Sequence, residues 1–137
     1  MGRWILAALA FMASTTLAQT QTNLSDDEIS AALIGSWVVP PESPDRVPGA
    51  DRTLETFQND GTYVAAVFQD AACTAVMERV TVKWSVENGV LTSVYPNGEQ
   101  AHDRVLSIGG GRVTLQSLDD GTTYIRAKAS NCGQQPL

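Results

Sequence analysis

Apolar and polar residues alternate along the middle of this chain. Val76, Val80, Val82, Trp84 and Val86 fall on one parity, and Met77, Arg79, Thr81, Lys83 and Ser85 on the other. Successive side chains of a strand point to opposite faces, so this run predicts a half-buried β-strand. Shorter runs of the same kind flank it at Trp37–Val39, Arg52–Gln58, Thr62–Gln69, Val90–Tyr95, Ala101–Ile108, Arg112–Leu118 and Thr122–Lys128. Tight turns separate most of them: Asn59-Asp60-Gly61, Asn88-Gly89, Pro96-Asn97-Gly98, Gly109-Gly110-Gly111 and Asp119-Asp120-Gly121. Each carries a glycine able to take the left-handed conformation that hairpin turns require.

One helical pattern precedes the strands. Ser25-Asp26-Asp27-Glu28 is a capping box with acidic residues suited to the helix dipole, Ile29, Ala32 and Leu33 form an apolar side, and Gly35 stops the helix. A helix of about two turns is unstable alone and has to pack on something. Trp37 follows at once, a ring large enough to plug the end of a barrel. From Pro40 to Asp51 four prolines and Gly49 leave no usable period, which predicts a long semi-rigid loop, either a solvated connector or a lid over a cavity mouth. Short connections make neighbouring strands antiparallel. The fold expected is all-β, an eight-stranded antiparallel up-and-down β-barrel with a short N-terminal helix. A two-sheet sandwich with Greek-key crossings is the alternative, and it usually needs longer crossovers.

The N-terminus adds a destination. Arg3 is followed by an apolar block from Trp4 to Met12 and by the small-residue site Thr16-Leu17-Ala18, which reads as a secretory signal peptide over residues 1–18. The block is too short to span a bilayer, and Gln19 at the cleavage site does not support a lipid anchor. A flexible arm at 19–24, one barrel domain at 25–132 and a tail at 133–137 are expected to remain, in the periplasm or outside the cell. The formal net charge is −6, and loss of Arg3 with the signal takes it to −7, which argues against nucleic acid or anionic membrane as partner. The two cysteines, Cys73 and Cys132, are most simply a disulfide in an oxidising compartment. Such a bridge contributes roughly 3 to 5 kcal/mol by loop entropy. A reactive thiol at Cys73 is the alternative, and Ala71, Ala72 and Thr74 give it no local base.

The inward side chains decide whether such a barrel is solid or holds a ligand. If Trp84 faces in, so does Glu78, while register decides whether Glu55 joins Phe57 inside. On the sixth strand Arg104 and His102 share the parity of Leu106 and Ile108. Glu78, Arg104 and His102, with Tyr63 or Tyr95, are therefore candidates for the polar part of a pocket lined otherwise by Trp84 and valines. The plainer reading puts Glu78 at a wet barrel mouth. A single bulge would reverse these faces. His102 is the sole histidine and has no ligand partners at metal-binding spacing, so no metal or cofactor is expected. Asp119-Asp120-Gly121 lacks the alternating oxygens of a calcium loop. Asn23-Leu24-Ser25 is a glycosylation site only in a eukaryotic secretory pathway. No nucleophile elbow, phosphate loop or catalytic spacing points to an enzyme.

At Gly35-Ser36-Trp37 the chain resembles the lipocalins of the calycin superfamily, above all the small bacterial lipocalin-like domains. The capped helix before the motif, the long loop after the first strand and Arg126 on the last strand extend the likeness over about Ser25 to Cys132. It implies that Gly35, Trp37 and Arg126 are structural, that Arg126 packs across Trp37, that the loop is a lid, and that the tail cysteine is tied back to the barrel. Two features depart from classical lipocalins: Gly109-Gly110-Gly111 stands where a Thr-Asp-Tyr type motif belongs, and no room follows Lys128 for a long helix. The function expected is an exported binding module holding a small apolar or amphipathic molecule. The alternative is a protein-interaction module, such as an inhibitor of a secreted hydrolase.

Overall fold

The computed structural model describes residues 22–129 and Cys132. The leader expected over 1–18, the first part of the arm at 19–24 and the tail at 133–137 lie outside those residues. Helix α1 (Asp26–Leu33) leads into strands β1 (Gly35–Val38), β2 (Arg52–Phe57), β3 (Thr62–Phe68), β4 (Val76–Glu87), β5 (Val90–Val94), β6 (Gln100–Gly109), β7 (Arg112–Ser117) and β8 (Thr123–Ala129). Every strand pairs antiparallel with its sequence neighbours, and β1 closes on β8 through Ser36 opposite Ala129, Trp37 opposite Lys128 and Val38 opposite Ala127. The sheet is a closed up-and-down barrel. Closure rules out the sandwich and leaves no free sheet edge.

Helix α1 forms because its cap is complete. Ser25 Oγ accepts from Glu28 N at 3.2 Å, and Glu28 Oε1 accepts from Ser25 N at 3.2 Å. Ile29 and Leu33 are fully buried in the barrel core with Val82, Leu91, Val105 and Val113. Ala32, expected on the same side, is exposed instead. The Asp26 carboxylate, which the pattern explained by the helix dipole, also accepts from Asn88 N (2.8 Å) and Gly89 N (2.9 Å), docking the helix onto the β4–β5 turn.

Trp37 is 3% exposed and closes this end of the barrel. Its indole Nε1 donates to Leu33 O at 2.8 Å, satisfying a carbonyl that the last helical turn leaves free. The cation above its ring is Lys128, with Nζ 4.6 Å from the centroid and 3.0 Å from Ile34 O. Arg126, which the resemblance sets across Trp37, lies two residues earlier on the same face and bonds the Glu55 and Asp45 carboxylates. Gly35 takes φ +118°, and a Cβ there would stand 2.6 Å from Lys128 Nζ. The helix can turn into the strand beneath that lysine only through glycine.

Cys73 and Cys132 form a disulfide with Cα atoms 5.6 Å apart, joining positions 59 residues apart in sequence. It ties the chain beyond β8 to the β3–β4 connection. Among the described residues no helix is long and apolar enough to cross a membrane.

Candidate functional site

Above the plug the barrel is hollow. A cavity of about 340 Å³ begins on an apolar floor of Leu33, Trp37, Phe57, Leu91, Val113 and Leu115. Its walls come from inward positions of the strands: Tyr63 on β3, opposite Phe57, and Ser93 on β5, Ala101 and Asp103 on β6, Ser117 on β7 and Tyr124 on β8. Tyr95, just past β5, joins them, and Asp45, Asp119 and Asp120 stand in the lining from the loops above. The floor is stiffened by rings. Phe57 stacks on Tyr63 at 4.6 Å and meets Trp84 edge-on at 5.3 Å.

The polar centre is Arg126. Its Nε donates to Glu55 Oε2 at 2.9 Å, and Nη2 donates to Glu55 Oε1 (3.2 Å) and Asp45 Oδ2 (2.6 Å). Nη1 donates to Asp45 Oδ1 (3.1 Å) and to Ile125 O (2.9 Å). All the N–H donors of the guanidinium are thereby used. Burial alone would weaken its charge, but Glu55 and Asp45 outweigh that and raise its pKa. Burial likewise pushes Asp45 up, yet its hydrogen bonds to Arg126, the Arg126 charge and the Ser43 hydroxyl win and hold the carboxyl below its usual value.

The same contacts seat the 39–51 loop. Ser43 is buried, donates to Asp45, and accepts from Ile125 N at 3.1 Å. The loop is pinned to β8 by Ser43 and Asp45 and contributes Asp45 to the cavity. Asp103 differs from the other two inner carboxylates. It is half-buried, and among the described residues no hydrogen bond or ion pair engages its carboxyl. Burial pushes it up to about 6, with Arg126 pulling down and Glu55, Asp119 and Asp45 pushing up. Burial also raises the Tyr63 hydroxyl, which sits beside Ser93 and Tyr95 and stays protonated.

The candidates drawn from the sequence separate. Tyr63 and Tyr95 line the cavity. Trp84 lies behind Phe57 in the floor, its Nε1 donating to Thr62 O at 2.9 Å. Glu78 is exposed, because the first half of β4 outruns the end of β5; it borders an open groove with Val80 and Tyr95. His102 and Arg104 do not line the cavity. A bulge at Leu106 lets both Val105 and Ile108 pack on the core, so β6 faces inward through Ala101, Asp103 and Val105. His102 then meets Thr92 Oγ1 at 3.1 Å on the outer side.

Asp45, Asp103, Ser93, Ser117 and Tyr124 were not among those candidates. Alternation with Val105 could have pointed to Asp103, and alternation with Leu91 to Ser93. Among the described residues no group of three or more His, Cys, Asp or Glu is arranged to hold a metal ion.

No protein-family model matches the chain, and no curated protein does. Solved structures do. An uncharacterized protein from Bacteroides eggerthii is similar with a TM-score of 0.55 and 12% identity over 71% of this chain and 99% of that one. A lipocalin-like protein from Bacteroides uniformis is similar with a TM-score of 0.51 and 14% identity over 72% of this chain and 99% of that one. With the closed eight-stranded barrel, these likenesses give the chain the fold of a bacterial lipocalin-like domain.

Proposed function

We propose that the protein is an exported binding module that holds a small amphipathic molecule in the barrel, beneath the 39–51 loop. The cavity carries this reading: about 340 Å³ is within the range of small-molecule sites, with an apolar floor and a few convergent polar groups above it. A barrel of eight strands has room for packed side chains or for one such ligand. Binding is favoured over catalysis because the strongest polar groups serve the framework. Arg126 has no donor to offer a substrate, and Tyr63 is kept protonated by burial. Export rests on the leader at residues 1–18, and the Cys73–Cys132 bridge is compatible with an extracellular or periplasmic location.

The test is fluorescence titration with the neutral apolar probe N-phenyl-1-naphthylamine, on the parent and on Ala101→Trp. Ala101 lines the upper cavity, and an indole introduced there takes up space that a ligand needs. Saturable binding by the parent and its loss in the variant are expected, with both chains melting cooperatively. A parent that does not bind, or a variant that binds equally well, would overturn the reading.

A further inference from the structure

We propose that the molecule held in the cavity is an organic amine, with its ammonium group at Asp103 and its apolar part on the Leu33–Trp37–Leu91 floor. The inference rests on the binding reading above and names the class of ligand.

Five carboxylates line the cavity, from Asp45, Glu55, Asp103, Asp119 and Asp120, against the single guanidinium of Arg126. Arg126 is consumed by Asp45 and Glu55, two negative charges for one positive. A ligand carboxylate would therefore enter a negative field and find no free donor on the only cation in the lining. Asp103 has the opposite character. It projects from β6 between Ala101 and Val105, opposite Leu91 on β5 and Ser117 on β7, and no hydrogen bond from a described residue satisfies it. A half-buried carboxylate without a donor is costly, and a bound ammonium is the group that would remove that cost. The rings of Tyr63, Tyr95 and Tyr124 line the same space, and aromatic faces attract ammonium further. A metal ion fits the site poorly, since the described carboxylates do not gather into a ligating group.

The charged and titratable groups that share the cavity with Asp103 are Glu55 on β2, Arg126 on β8, Asp45 on the loop above, Asp119 and Asp120 on the β7–β8 turn and the three tyrosines. Burial holds Asp103 up to about 6, while Asp45 lies below its usual value. Amine binding should therefore strengthen from pH 5 to pH 8 as Asp103 ionises, an alkylammonium being charged throughout.

Calorimetry with three ligands of one shape separates the possibilities: 3-phenylpropylamine, 3-phenylpropan-1-ol and 3-phenylpropanoate. At pH 8 the amine should bind at least tenfold tighter than the alcohol, and the carboxylate weakest. Asp103→Asn should remove the preference for the amine over the alcohol and its pH dependence. Alcohol and amine binding equally, or the carboxylate binding best, would overturn the amine assignment and leave the binding reading standing. No binding by any of the three to the parent would overturn both.

Discussion

Replacing Arg126 by Met keeps the bulk of the side chain and removes the charge that two buried carboxylates share. The side chains of Arg126, Glu55 and Asp45 are 11%, 17% and 26% exposed, so the cluster is largely withdrawn from water. Breaking a buried pair by deleting one partner typically costs about 3 to 5 kcal/mol, because the survivors keep an uncompensated charge. Asp45, a quarter exposed and on a loop, can swing back toward water, so about 3 kcal/mol is expected for Arg126→Met at pH 7.

The pH dependence has a definite sign. In the parent the Asp45 pKa is depressed, so its contribution is present above the unfolded value near 4 and is lost as pH falls through the folded one. In the variant the guanidinium that lowers Asp45 is gone, and burial, the largest influence on that carboxyl, raises its folded pKa instead. The contribution of Asp45 is then greatest at low pH and declines as pH rises through its new folded value. Urea unfolding at pH 4.5 and 7.5 reads both effects. The parent should be at least as stable at the higher pH with respect to this cluster, and the variant less stable there. Adding Glu55→Gln should recover part of the loss. A variant within 1 kcal/mol of the parent at pH 7.5, with a parallel pH profile, would refute the claim that Arg126 holds the wall and the loop together.

Asp103→Asn should stabilise the free protein at pH 8 by about 1 to 3 kcal/mol and leave it unchanged near pH 4. The folded Asp103 sits at about 6, above its unfolded value, so ionising it opposes folding as pH rises through 6; urea midpoints at the two pH values check this. Trp37→Ala should cost about 3 to 5 kcal/mol in urea unfolding, since it empties the plug and leaves Leu33 O without its indole donor. Replacing Cys73 and Cys132 together by Ser should lower stability by roughly 3 to 5 kcal/mol, with the amine preference retained because neither cysteine lines the cavity.

Most of the framework was legible because it depends on local chemistry. The capping box, Gly35 before Trp37 and the hairpin glycines each act within a few residues, and period two carried the strands between them. The inner face was harder to read wherever one residue shifts the parity. Leu106 is the case in point: the extra residue on β6 turns Arg104 and His102 outward and Asp103 inward, and nothing in the local pattern marks a bulge. Glu78 has the parity of Val80, but strand stagger leaves it beyond the rim, a matter of how far β5 extends rather than of β4 itself. That Lys128 lies over Trp37 is a register effect across the closing pair β1–β8. Asp45 lies in a loop without periodicity, and only its long-range contact with Arg126 gives it a place.

The hollow itself follows from a gradient in side-chain size along single strands. On β5 the inward positions pass from Leu91 at the floor to Ser93 above; on β6 from Val105 to Asp103 and Ala101; on β7 from Val113 and Leu115 to Ser117. Moving away from α1, each of these strands exchanges a branched apolar side chain for a small or polar one. Strands alone determine only that a barrel closes; these substitutions determine that its upper half stays open, and they make the wall polar at the height where Asp103 stands. The floor and the cavity are thus separable by mutation. Filling the space from Ala101 should empty the site of ligand while the Ile29–Leu33–Trp37 plug continues to hold the barrel, whereas loss of the plug should weaken the barrel before binding is affected.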